Sequence, residues 1–158
     1  MARSTFSGPV ASTNGFALKR VVDNTTLNTG AAVTTTLTRD QSGTIFNVDG
    51  TDDIVVNMPA LNTANVGTVY EFFVTTAVGS GKTVTFVLPG AGVSNFFGAL
   101  SLMGGTAANA ASDVAGDTLT LPATTAVNGR VLLTCVSDDG TNSTWKAETL
   151  STPIATIA

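Results

Sequence analysis

Apolar and polar residues alternate along this chain in short runs, with a period of two rather than 3.6. Ile54, Val56 and Met58 share one side of a run whose other side carries Val55 and Asn57. Tyr70, Phe72 and Val74 line up likewise, as do Val84, Phe86 and Leu88, and Leu119 and Leu121 alternate with Thr118 and Thr120. Successive side chains of a strand point to opposite faces, so each run reads as a strand with one side toward a core. The pattern predicts strands at 31–38, 43–48, 54–58, 67–76, 82–88, 117–121, 129–137 and 143–149. Turn formers separate them, at Asp49-Gly50, Gly79-Ser80-Gly81, Asn128-Gly129 and Asp139-Gly140. Runs 67–76 and 129–137 are apolar on both sides, which places them centrally in a sheet. The expected fold is all-β, an antiparallel β-sandwich or jelly-roll-like barrel over residues 31–158, preceded by an extended arm over residues 1–30.

Two segments break the pattern. Residues 1–20 lack helical periodicity, and they hold Arg3, Lys19 and Arg20 with no acid. Phe6 and Phe16 stand among Ser, Gly, Pro and Asn. We read the segment as an extended arm that docks, in preference to the disordered tail that such a terminus often is. Residues 89–116 begin at Pro89-Gly90-Ala91-Gly92 and include Phe96, Phe97, Leu100 and Leu102. Glycines at 98, 104 and 105 disfavour a long helix. A loop is expected there, with room for a short helical turn in the Ala-rich 106–116; loops of this length usually contact a partner or serve function.

The chain also echoes itself. Asn57-Met58-Pro59-Ala60, a connection, then Gly67 and an apolar strand returns as Thr120-Leu121-Pro122-Ala123, a connection, then Gly129 and an apolar strand. Duplication of one β-unit accounts for this; so does repeated use of proline to end a strand.

Composition narrows the function. Only 11% of the residues are charged, while 28 of the 158 are threonine. Threonine is stiff at χ1 and keeps a pleated surface wettable without long charged side chains. Low charge with a positive mean hydropathy implies that neighbouring subunits cover part of the surface. Seven Lys and Arg against eleven Asp and Glu cannot build a basic face for nucleic acid. No apolar stretch is long enough to span a membrane as a helix, and Met1 to Phe6 contains no signal-peptide core.

Histidine is absent, so the Cys-His and Ser-His-Asp mechanisms are excluded by composition. The single cysteine, Cys135, sits in an apolar run and reads as a small core hydrophobe. Gly79-Ser80-Gly81-Lys82-Thr83 resembles the end of a phosphate loop, but Thr76 stands where that motif needs its first glycine. Lys82 to Phe86 also continues as a strand rather than a helix, so the segment reads as a hairpin turn. Asp49, Asp52 and Asp53, or Asp138 and Asp139, offer oxygens for calcium; neither group has the EF-hand spacing, and Asp is a standard turn former. Trp145 could stack on a sugar ring, yet a lone Trp in a terminal strand is more often a core or rim anchor. No catalytic residue, cofactor or metal is expected, and the chain is not expected to be an enzyme.

Leu121-Pro122-Ala123, followed by Asn128-Gly129-Arg130-Val131-Leu132-Leu133 and then Asp139-Gly140-Thr141-Asn142-Ser143-Thr144-Trp145, resembles the closing unit of small virion structural proteins of tailed bacteriophages, particularly marine and cyanobacterial ones. Leu37 to Thr44, Met58-Pro59-Ala60 and Gly67-Thr68-Val69-Tyr70 are similar to the opening of the same domain, and Ala2 to Val10 to the start of such proteins. Together the resemblance covers residues 2–20 and about 37–150. It implies a capsid decoration (cement) protein: a homotrimer, with the major capsid protein as partner, on the outer capsid surface of a virion assembled in the host cytoplasm. On that reading Phe6 and Phe16 enter pockets between coat subunits, and Arg3, Lys19 and Arg20 pair with coat carboxylates. The alternative is a receptor- or glycan-binding module of a tail or head fibre, with Phe96, Phe97 and Trp145 as ligand or subunit contacts.

Overall fold

Every period-two run of the sequence is a strand of the folded chain. The computed structural model describes residues 22–27, 32–90, 92–102, 110–153 and 155–157. In chain order the strands are β1 (Val22–Leu27), β2 (Val33–Thr36), β3 (Ile45–Asp49), β4 (Ile54–Asn57), β5 (Val69–Thr76) and β6 (Val84–Val87). They continue with β7 (Asn95–Leu102), β8 (Ala110–Gly116), β9 (Thr118–Leu121), β10 (Arg130–Asp138), β11 (Ser143–Ser151) and β12 (Thr156–Ile157). Single 3-10 turns at Arg39–Gln41 and Thr63–Asn65 are the helical pieces among the described residues. The fold is all-β.

The strands form two sheets, a larger one in the order β1-β3-β5-β10-β11-β7-β8 and a smaller one in the order β12-β9-β6-β4-β2. Both are mixed, where antiparallel sheets were expected. From β1 to β6 the chain alternates between the sheets, and each strand runs parallel to the one two before it. Parallel neighbours need a long crossover, and here the strand in the opposite sheet supplies it. The turns at Asp49-Gly50 and Gly79-Ser80-Gly81 therefore carry the chain from one sheet to the other and are not hairpins. Turn chemistry is the same in both cases, so the local sequence does not distinguish them. The Asp139-Gly140 turn does close a hairpin, between β10 and β11. In the second half antiparallel pairs prevail, with β7 running parallel beside β11 as the exception.

The inward sides of the two sheets meet in one apolar cluster. Phe46, Val48, Tyr70, Phe72, Leu133, Trp145 and Phe96 come from the larger sheet; Ile54, Val56, Val84, Phe86, Leu119 and Leu121 come from the smaller. Phe72 meets Phe86 edge-on, with ring centroids 4.7 Å apart, and stacks on Phe46 at 5.1 Å. Each large buried side chain contributes about 1.5–3 kcal/mol. The Lys82–Asp52, Lys82–Asp53 and Lys146–Glu148 pairs are largely solvated and contribute little. Apolar burial thus outweighs ion pairing in holding the sheets together.

Two elements differ from expectation. The last part of the predicted arm, residues 22–27, is β1, so the sheet begins at Val22 rather than after residue 30. Its Val-Asp-Asn-Thr-Thr-Leu sequence has too few apolar positions to show a period. The predicted 89–116 loop holds β7 and β8, and residues 110–116 are strand rather than a helical turn. Gly98 hides β7 by interrupting its alternation, and the structure explains the glycine. Its φ is +145°, and a Cβ there would stand 1.9 Å from the carbonyl oxygen of Ala147 on β11.

The sequence echo has a structural counterpart. Both copies pass from the smaller sheet to the larger, β4 to β5 and β9 to β10, and the two receiving strands lie side by side and antiparallel. Gly67 N–H donates to Cys135 O and Cys135 N–H to Thr68 O; Asn128 N–H donates to Val74 O and Val74 N–H to Gly129 O. These two sets superpose when Gly67 is matched with Asn128, which have φ of +85° and +67°. The matching glycine of the sequence, Gly129, is therefore one position out of register. Asparagine tolerates the left-handed region that its unit requires at residue 128. The correct match also aligns the inward residues Tyr70, Phe72 and Val74 with Val131, Leu133 and Cys135. A local two-fold axis runs through the facing pair Glu71 and Leu132.

Candidate interaction surfaces

The residues proposed from sequence separate into three groups. Arg3, Phe6, Phe16, Lys19 and Arg20 lie outside the described residues. Phe96 and Trp145 are in the core, with exposures of 0% and 1%. They occupy inward positions facing each other across β7 and β11, so neither reaches a ligand or a second subunit without opening the fold. Phe97, one residue on, points the other way and is 40% exposed. Of the three aromatic contacts proposed, it alone is available.

The candidate chemical groups are taken up by the fold. Lys82 bonds Asp53 at 3.3 Å and lies 3.4 Å from Asp52. Asp53 Oδ1 accepts the backbone N–H of Thr83, which holds its carboxyl below the usual range, with Lys82 adding to the effect. The lysine of the phosphate-loop-like segment is thus an anchor between two inter-sheet connections. Asp138 is buried: its Oδ2 accepts from the backbone N–H of Asn62 and from Asn65 Nδ2, and its Oδ1 from Gly140 N–H. Asp139 accepts the N–H groups of Asn142 and Thr141, which lower its pKa. Carboxylate oxygens engaged by N–H donors serve turns. Among the described residues no cluster of three or more His, Cys, Asp or Glu has metal-binding geometry.

Cys135 is buried on the inward side of β10, and burial pushes its thiol up to about 11. The phenol of Tyr70 is likewise raised by burial, and its hydroxyl donates to Thr38 O at 2.8 Å. Neither group is poised for proton transfer near neutrality.

Two surface features remain. An open groove of about 390 Å³ lies where the β2–β3 and β4–β5 connections meet, lined by Thr36, Thr38, Arg39, Ala60, Asn62 and Asn65 among others. Among the described residues no aromatic ring lines it. The second feature is the outer face of the larger sheet, where Phe97 on β7, Val136 on β10 and Leu150 on β11 are 40–48% exposed. Sequence reasoning missed Val136 and Leu150, although strand parity marks both as outward once Cys135 and Thr149 are known to face in. Lys146 and Glu148 stand between them on β11, bonded to each other at 3.1 Å. No described helix is long and apolar enough to cross a membrane. Neither a protein-family model nor a curated protein sequence matches the chain.

Proposed function

We propose that this chain is a structural docking protein of a virus particle, a decoration (cement) protein that binds major capsid protein subunits of a tailed bacteriophage from outside. The observation that carries this reading is a division of labour among side chains. Lys82, Asp53, Asp138, Asp139 and Cys135 are committed to turns and core, while Phe97, Val136 and Leu150 stand outward on a sheet of low charge. Such a surface favours apolar docking. The resemblance of residues 2–20 and 37–150 to small virion proteins supplies the partner.

On this reading the basic, aromatic N-terminal segment adds a second contact. Burying Phe6 and Phe16 would supply roughly 3–6 kcal/mol before ordering costs. Three copies on a trimer would make a weak single contact strong through effective concentration. The test is occupancy on expanded empty capsids, measured by co-sedimentation. The full chain should bind and Phe97→Ser should bind more weakly, while deletion of residues 2–20 should abolish binding. Equal occupancy for all three proteins would overturn the reading. Binding to cells or glycans in place of capsids would favour a fibre module.

A further inference from the structure

β2 and β4 are parallel neighbours, as are β3 and β5, so the β2–β3 and β4–β5 connections cross the same end of the two sheets side by side. The groove of about 390 Å³ lies between them. Its walls are held from inside the fold. Tyr70 donates its hydroxyl to Thr38 O in one connection, and buried Asp138 accepts from Asn62 N–H and Asn65 Nδ2 in the other. Asn65 lines the groove although it is only 3% exposed. Its Nδ2 protons go to Ala60 O and Asp138 Oδ2, which leaves Oδ1 as an acceptor with no partner among the described residues. Buried polar atoms are normally paired, so this one is a vacancy for a donor. Asn62 is the reverse case: its Oδ1 accepts from Ala64 N–H, and its Nδ2 is a donor left over. Arg39 completes the set. Of the described Lys and Arg, Lys82, Arg130 and Lys146 each contact a carboxylate, whereas Arg39 contacts none, neighbouring Asp40 included.

We propose that this groove binds a short acidic peptide segment of another protein, with a carboxylate on Arg39 and a backbone N–H on Asn65 Oδ1. The arginine fork matches a carboxylate with two parallel bonds. Asn62 Nδ2 supplies a donor for a peptide carbonyl, and Leu37, Pro59 and Ala60 supply apolar lining for a small side chain. Asp138 lies behind Asn65 with its oxygens engaged by three N–H donors, so the fold offers Arg39 no carboxylate of its own there. A sugar would favour an aromatic ring to stack on, and the described lining has none. The volume is at the low end for small-ligand sites, about 300–1,000 Å³, which suits a few residues of chain rather than a folded surface. Because the walls are already bonded in place, binding orders little of this chain. The groove shares no residue with the Phe97, Val136 and Leu150 face, and it does not depend on what that face docks against.

NMR amide shifts of the full chain, titrated with acetyl-Ala-Glu-Ala-amide to about 10 mM, test the site. Resonances of 36–39 and 59–65 should move together and saturate, and the Gln-centred peptide should bind at least about fivefold more weakly. Arg39→Gln, a surface change that should leave Tm in place, should erase the difference between the two peptides. Arg39→Lys should restore it only in part, because the charge returns without the fork. Methylating the glutamate amide nitrogen of the peptide should weaken binding by removing the donor for Asn65 Oδ1. Added salt should weaken the Glu peptide more than the Gln peptide. An absence of movement at 36–39 and 59–65 would overturn the proposal, as would equal binding of the two peptides. Acetate binding as tightly as the Glu peptide would make a free carboxylate the ligand, and maltotriose moving the same resonances in place of peptide would make this a sugar site. Either result would sink the peptide assignment.

Discussion

The indole of Trp145 stacks on the phenol ring of Tyr70, with centroids 5.9 Å apart and planes 14° from parallel. The two residues come from β11 and β5, with β10 between them, so the stack clamps three central strands from the inside. Trp145→Ala should cost about 3–5 kcal/mol in denaturant unfolding. Tyr70→Phe, which keeps the ring and removes the bond to Thr38 O, should cost about 1 kcal/mol. The buried indole should emit blue-shifted fluorescence, and added glycans should leave that emission unchanged. A glycan-dependent shift would return Trp145 to the surface.

Gly98 is fixed by backbone rather than by side-chain packing. The atoms nearest a Cβ at this position are the carbonyl oxygen, carbonyl carbon and amide nitrogen of Ala147, which no rotamer change can move. Gly98→Ala should therefore separate β7 from β11 and cost about 2–4 kcal/mol, with faster exchange in both strands. Gly92 makes the control: its φ is +78° but nothing lies within 4 Å of a Cβ. Gly92→Ala should cost only about 1 kcal/mol, read from the same unfolding curves.

Period two made eight of the twelve described strands legible, because each places its own apolar side chains toward a core. Central placement of β5 and β10 was legible too, from apolar residues on both sides. Pairing was not. Whether Asp49-Gly50 returns the chain beside β3 or sends it to the other sheet depends on the whole winding, which no local window contains. β7 was masked by Gly98, whose requirement comes from Ala147, 49 positions away in sequence. The echo between the two central units was visible, but its register was set by the left-handed Asn128 and not by the glycine beside it. The exposed Val136 and Leu150 needed the parity of β10 and β11, and hence the structure.

Asp138 joins three segments through N–H donors: the Asn62–Asn65 turn, the end of β10 and the Gly140 turn. Asp138→Ala should cost about 2–4 kcal/mol, since buried donors lose a charged acceptor. Asn65→Ala should cost less, because it removes one of the three bonds from Asp138. If these carboxylates serve turns, millimolar calcium or a chelator should shift Tm by less than about 1 °C. A calcium-dependent rise in Tm that Asp138→Ala abolishes would assign the site to metal instead.

Lys82 gives the acid and alkaline limits of one corner of the fold. Asp53 has its pKa lowered chiefly by the Thr83 N–H, and Lys82 has its pKa raised by its bonds to Asp53 and Asp52. A depressed carboxyl stabilises the fold above its unfolded value, about 3.9, and loses that effect as pH falls through the folded value. A raised ammonium stabilises it below its unfolded value, about 10.4, and loses that effect as pH rises through the folded value. The connections at 50–53 and 77–83 should therefore hold together most firmly between about pH 4 and pH 10. Both groups are solvated, so the loss outside that window should be local rather than global. The amide shift of Thr83 followed by NMR should titrate at a pH below the ordinary Asp value, and Asp53→Asn should flatten that acid limb. Lys82→Met should move the Asp53 titration upward without removing it, because the backbone bond is the larger cause. If Lys82→Met left the titration unmoved, the ion pair would have no part in holding this corner.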